Sequence, residues 1–139
     1  MKHETVLVLD FGGQYNELIA RRVRDLGVYC EVHPYGKALD KIKELSPIGI
    51  IFTGGPNSVY AEGAPMVDPA VFRQGLPVLG LCYGLQMMSH VLGGEVQSAP
   101  TREFGKTPVH YNTESLLFKG MPQEAICWMS HVDYVSRLP

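Results

Sequence analysis

The chain has 139 residues and 15.4 kDa, with 45% hydrophobic and 19% charged residues, which sets a single-domain prior and excludes a disordered chain. Twelve Lys and Arg stand against 14 Asp and Glu, a net charge of −2, which argues against nucleic-acid or anionic-membrane binding driven by bulk charge. No apolar run reaches the roughly 18 residues of a membrane span.

Thr5 to Asp10 is a nearly continuous apolar run, as expected of a strand buried on both faces. Phe11-Gly12-Gly13-Gln14-Tyr15 reads as a turn. Asn16 is placed to cap a helix through Leu26, and Gly27 to close it. Ile19, Val23 and Leu26 give that helix one apolar face. A second strand is expected at Tyr29 to His33, then a short helix around Asp40 to Leu45 and a third strand at Gly49 to Thr53. Gly54-Gly55-Pro56-Asn57-Ser58 is a loop by composition. A helix near Pro69 to Gln74 leads to a fourth strand, Pro77 to Leu81. Cys82 follows directly, then a helix from about Leu85 to Leu92, ended by Gly93-Gly94.

This alternation predicts an α/β fold, a doubly wound and mostly parallel sheet. Beyond Gly94 the pattern changes. Glu95 to Ala99, Thr107 to Asn112 and Ala125 to Ser130 read as shorter strands, a small antiparallel extension of the same domain. No Pro/Gly/Ser-rich linker divides the chain, so residues 1–139 are read as one domain. The N-terminal apolar run ends in Asp10 without a small-residue cleavage site, unlike a signal peptide. Cys30, Cys82 and Cys127 are widely spaced and odd in number, with no C-x-x-C pair. The expectation is a reduced, cytoplasmic protein without a metal.

Gly80-Leu81-Cys82-Tyr83-Gly84 is the sharpest chemical feature. A strand runs in, a helix runs out, and glycines flank a cysteine at two residues on either side, as in a nucleophile elbow. The sharp turn lifts the side chain off the sheet, and a helix N-terminus beyond it is a setting that favours a thiolate. The Tyr83 N–H would point where a tetrahedral oxyanion forms. The competing reading, a buried strand-end cysteine with glycines chosen for packing, fits the strand–turn–helix context less well. Gly54-Gly55-Pro56, at the end of the third strand, could add a second oxyanion donor; on its own it fits a plain turn better. Neither glycine loop carries the spacing for a phosphate or a dinucleotide.

A cysteine nucleophile needs a base. His90 is eight residues past Cys82, about 12 Å along a helix, and cannot easily reach back. His3, His33 and His110 have no local signature. His131, at an expected strand end, is the one histidine retained from spacing. Gln86 lies one helical turn past Cys82 and either holds a polar group of a substrate or faces solvent. Met87, Met88, Val91 and Leu92 are expected in the core.

These residues carry a resemblance to the class I glutamine amidotransferases. The matching stretches are Leu9 to Tyr15, Ala20 to Arg24, Gly54 to Pro56, Gly80 to Gln86, Arg102 to Gly105 and Trp128 to His131. Three of them, Asp-Phe-Gly-x-Gln-Tyr, Arg-Glu-Phe-Gly and Trp-Met-Ser-His, are particular to the branch that feeds ammonia to an ATP-using synthetase. The resemblance implies a flavodoxin-like strand order and a reaction in which Cys82 attacks the side-chain amide of glutamine. It implies oxyanion donors at Gly55 and Tyr83, and glutamine binding by Gln86 and by the backbone around Ser130, His131 and Val132. It further implies that ammonia passes to a synthetase (ATP pyrophosphatase) domain that aminates xanthosine monophosphate to GMP. That domain would lie on the same longer chain or on a second polypeptide, and ATP and magnesium would bind there, with no cofactor in this chain.

The family's His-x-Glu element is not found in these residues. The chain is therefore expected to be an incomplete amidotransferase domain, about two-thirds of one, with little activity alone. Val132-Asp133 departs from the small residue many relatives carry before the Asp, which would alter the glutamine pocket slightly. A second reading keeps the fold and drops the chemistry: an inactive amidotransferase-like module that binds or regulates a partner. A peptidase-like relative fits less well, since Tyr83 stands where such enzymes place a histidine.

Overall fold

The computed structural model describes residues 3–139, and of residues 101–103 the backbone alone, so the side chains of Arg102 and Glu103 in the Arg-Glu-Phe-Gly stretch lie outside the described residues. The chain divides into two compact units, Met1–Gln97 with Val135–Pro139, and Ser98–Tyr134.

The first unit holds four parallel strands, β1 (Thr5–Asp10), β2 (Tyr29–Pro34), β3 (Gly49–Phe52) and β4 (Val78–Gly80), in the order β2-β1-β3-β4. This is the flavodoxin-like order the resemblance implies. Between the strands lie α1 (Asn16–Asp25), α2 (Ala38–Leu45), short 3-10 turns at Tyr35–Lys37 and Pro69–Arg73, and after β4 comes α3 (Tyr83–Val91).

The continuous apolar run of β1 has the reason anticipated for it. Successive side chains alternate faces, and both faces are covered. Val6 and Val8 pack with Ile19, Ala20 and Val23 of α1, while Leu7 and Leu9 pack with Ala38 and Ile42 of α2 and Met87 of α3. Leu7, Val8 and Leu9 are fully buried, so truncating either leucine to alanine would cost about 2–5 kcal/mol. Thr53, also fully buried, ties β3 to β1. Its hydroxyl and its N–H both donate to the Leu9 carbonyl, at 2.7 and 3.3 Å.

Several local expectations shift. Asn16 is the first residue of α1 and not its cap; Tyr15 holds the N-cap position with no side-chain cap bond. Leu26 lies past the last turn and is 82% exposed, so the apolar face rests on Ile19, Ala20 and Val23. Gly27, at φ +79°, does close the helix. The segment around Pro69 forms a 3-10 turn instead of an α-helix, with the Asp68 carboxylate accepting from the Ala70 N–H at 2.8 Å.

The second unit is built on two long strands, β5 (Glu95–His110) and β6 (Glu124–Arg137), whose outer ends, 95–97 and 135–137, belong to the first unit. They form the small antiparallel sheet. What reads as separate strands at Glu95 to Ala99 and Thr107 to Asn112 is one strand, and Asn112 lies beyond it. Pro100 and Pro108 do not break it, because in a two-stranded ribbon each strand has a free edge where a missing N–H costs nothing. Within this unit Tyr111 packs on Phe118 and its hydroxyl lies 3.1 Å from the Cys127 sulfur.

Candidate active site

In open α/β sheets ligands bind beyond the carboxyl ends of the strands, where the strand order reverses. Here the reversal lies between β1 and β3. A cleft of about 480 Å³ opens at that place, lined by Gly12 to Tyr15 after β1, Gly54 to Pro56 after β3, and Leu81 and Cys82 after β4.

Cys82 sits at φ 52° and ψ −120°, a backbone geometry that L-residues other than glycine rarely adopt and that costs on the order of 1–3 kcal/mol. The chain turns there from β4 into α3 within two residues, Leu81 and Cys82, so the helix starts earlier than the expected Leu85. The turn is held by several main-chain bonds. Leu81 N–H donates to the Phe52 carbonyl at 2.9 Å, Gly84 N–H to those of Thr53 and Leu81 at 3.1 and 2.9 Å, and Gln86 N–H to that of Cys82 at 3.1 Å. The elbow is thus sewn to the end of β3, and Cys82, an exposed cysteine, is one of the residues that line the cleft. A Cβ on Gly54 would stand 3.3 Å from the Cβ of Cys82 and 3.6 Å from its sulfur, so the glycine loop and the cysteine are immediate neighbours.

Both elbow glycines are required by packing. A Cβ on Gly84 would lie 2.5 Å from the Phe52 carbonyl oxygen, and one on Gly80 would lie 2.8 Å from the Leu85 Cα. Gly55 is pressed against the Phe11 carbonyl and Gly13 against that of Gly54. The loops after β1 and β3 therefore meet backbone to backbone. The loop after β1 is closed by the Asp10 carboxylate, which accepts from the Gly12 N–H at 2.7 Å and from the Asn16 side-chain amide at 2.5 Å; the same amide donates to the Gly13 carbonyl at 3.2 Å.

Tyr83 is the first residue of α3, so its N–H is among those a helix leaves without an internal partner. Its ring is buried against Phe11, and its hydroxyl donates to the Pro65 carbonyl at 2.5 Å. Burial pushes the Tyr83 phenol up, with Tyr35 adding to the shift, so it stays a donor. Gln86 is buried, which removes the solvent-facing alternative.

The first unit brings together Cys82, Gly55, Tyr83 and Gln86. Ser130 and His131 lie on β6 in the second unit. His131 is inside that strand instead of at its end, and its Nδ1 lies 3.0 Å from the Asp133 carbonyl. Among the described residues of the first unit no histidine is hydrogen-bonded to the Cys82 sulfur: His3 packs on Tyr29, His33 pairs with Glu31 at 3.2 Å, and His90 meets Tyr60 edge-on. Among the described residues no cluster of three His, Cys, Asp or Glu side chains is set to hold a metal ion, and no helix is long and apolar enough to cross a membrane. Sequence reasoning gave Asn16 only the part of a helix cap and gave Asp10 no part in the site; the only other signal was their spacing around a glycine turn.

Residues 7–139 match the family model described as glutamine amidotransferase class-I. A protein of Clostridium botulinum named GMP synthase [glutamine-hydrolyzing] is 60% identical over 139 residues, all of this chain and 27% of that protein. One of the same name from Caldicellulosiruptor saccharolyticus is 61% identical over the same share. The chain thus spans about a quarter of the length of these curated relatives. Among solved structures, a candidate GMP synthase subunit from Thermoplasma acidophilum superposes with a TM-score of 0.85 at 29% identity, over 99% of this chain and 69% of that one. A glutamine amidotransferase from Thermotoga maritima gives 0.75 at 21% identity, over 97% and 63%, a likeness of fold.

Proposed function

The chain belongs to the glutamine amidotransferase class-I family, and on that premise we propose that it releases ammonia from glutamine through a thioester on Cys82. The observation that supports this most is the strained cysteine at the head of α3, opening on the switch-point cleft beside Gly54 and Gly55. The Cys82 sulfur adds to the side-chain amide carbon of glutamine, and the carbonyl electrons move onto oxygen. The N–H groups of Gly55 and Tyr83 stabilise that oxyanion. As it collapses, the C–N bond breaks and ammonia leaves with the proton from the thiol, leaving a γ-glutamyl thioester. Water then adds to the thioester carbon, releasing glutamate and restoring the thiol. Gln86 holds the glutamine from the first turn of α3; Ser130 and His131 are assigned to the same task on the resemblance alone.

The released ammonia passes to an ATP-using domain that aminates xanthosine monophosphate to GMP. The names of the curated relatives, and the quarter of their length that this chain spans, support that part of the reading. That domain would be fused or a second polypeptide, would hold ATP and magnesium itself, and would work in the cytoplasm with this one.

The protein at its native length, given glutamine, is expected to release ammonia and glutamate in equal amounts, and alkylation of Cys82 by iodoacetamide is expected to stop both. Release of neither would overturn the reading and leave a binding or regulatory module. Residues 1–139 alone are expected to be slower by about 10³-fold or more, because among the described residues of the first unit no histidine is hydrogen-bonded to Cys82 to serve as its base. Ammonia release by the short chain at the rate of the long one would refute that expectation.

A further inference from the structure

We propose that Asp10 and Asn16 are positioning residues that fix the Gly55 N–H in the oxyanion site. The inference rests on the glutaminase reading above. Neither residue lines the cleft; both act through the loop between them.

Three observations lead there. Asp10 ends β1, and one of its carboxylate oxygens gathers two donors, the Gly12 N–H and the Asn16 amide, while that amide also holds the Gly13 carbonyl. The turn from 11 to 15 is thereby closed at both ends. Next, this turn is in direct main-chain contact with the loop that carries the oxyanion donor. A Cβ on Gly13 would lie 2.5 Å from the Gly54 carbonyl oxygen and 3.4 Å from the Gly55 nitrogen, and Gly55 itself abuts the Phe11 carbonyl. With no side chain between them to absorb a displacement, a shift of the first loop moves the second. An oxyanion donor must be placed within a few tenths of an ångström to be effective.

The third observation separates this from an ordinary turn. A polar residue near the start of α1 would serve the helix best by capping it. Asn16 does not cap. Its side chain turns back to Asp10 and Gly13, the N-cap position falls to Tyr15 without a side-chain cap bond, and among the described residues the buried Asn16 Oδ1 has no hydrogen-bond partner. A helix start without a side-chain cap and a buried amide oxygen without a partner both depart from local rules, and such departures collect at functional sites. Phe11, inside the bridge, is buried and stacked on Tyr35 with its ring edge against Phe52. The loop has a fixed anchor there, which leaves Asp10 and Asn16 to set its glycine end.

The test is made on the protein at its native length. Asp10→Ala is expected to lower kcat for glutamine hydrolysis by about 10- to 100-fold, less than outright removal of an oxyanion donor. KM should stay within about threefold, because the lost interaction belongs to the transition state. Alkylation of Cys82 by iodoacetamide, which needs no oxyanion site, should keep its native rate. Asp10→Asn keeps an acceptor oxygen and is expected to recover kcat to within about threefold of native. Asn16→Ala should lower kcat as well, and it carries the comparison if Asp10→Ala yields no folded protein. Native kcat in the alanine variants, or a fall in kcat matched by an equal fall in alkylation rate, overturns the inference. Cys82→Ala is run beside them. If that variant still releases ammonia, the glutaminase reading falls; if it is dead while the alanine variants at 10 and 16 are native, only the positioning role falls.

Discussion

Cys82→Ala at native length is expected to lower glutamine hydrolysis by about 10⁴-fold or more, the loss typical of removing a covalent nucleophile. Alanine is the informative replacement. It keeps the Cβ that already stands against Gly54 and keeps a side chain at φ 52°, so the backbone strain is the same before and after. The melting temperature should therefore stay within about 2 °C, and the missing activity can be assigned to the sulfur. The amination proposed for the synthetase domain, supplied with ammonium salt that bypasses this site, should be unchanged. A variant that still hydrolyses glutamine would remove Cys82 from the mechanism.

Gly84→Ala is expected to cost about 3 kcal/mol of stability, at the upper end of overpacking effects. The new methyl would lie 2.5 Å from the Phe52 carbonyl oxygen and 2.6 Å from the Phe52 Cβ. Neither can retreat. Phe52 is fully buried, and its carbonyl accepts the Leu81 N–H that holds the elbow to β3. Gly36→Ala is the control, since nothing lies within 4 Å of the added carbon, and it should change stability by no more than about 0.5 kcal/mol. Urea unfolding of both variants decides. Equal midpoints would show that the close approach at Gly84 is not what fixes this residue.

The parallel sheet and the elbow were legible because their signals are local. The apolar run of β1 matches its observed bounds, Thr5–Asp10, and Gly80 and Gly84 flag the elbow in five residues. The burial of Gln86 was not legible, because one face of α3 can be told from another only once β3 is beside it. The long strand β5 was hidden by Pro100, Gly105 and Pro108, which read as interruptions unless one knows that a two-stranded ribbon tolerates them. The exposure of Leu26 followed from where the helix ends, which periodicity alone leaves open. The Asp10–Asn16 bridge was illegible for a further reason: asparagine before a helix reads as a cap, and only the placement of β1 shows its amide turned toward Asp10 instead.

The backbone at Cys82 bends in a way that suits glycine, yet on the proposed mechanism the residue there serves through its sulfur. A protein screened for heat resistance alone would be rewarded for giving up that side chain, since glycine would relax the bend. Durability and chemistry therefore make opposite demands on one position. A laboratory lineage that gains thermal tolerance without being asked to turn over glutamine would be drawn toward silencing its own active site.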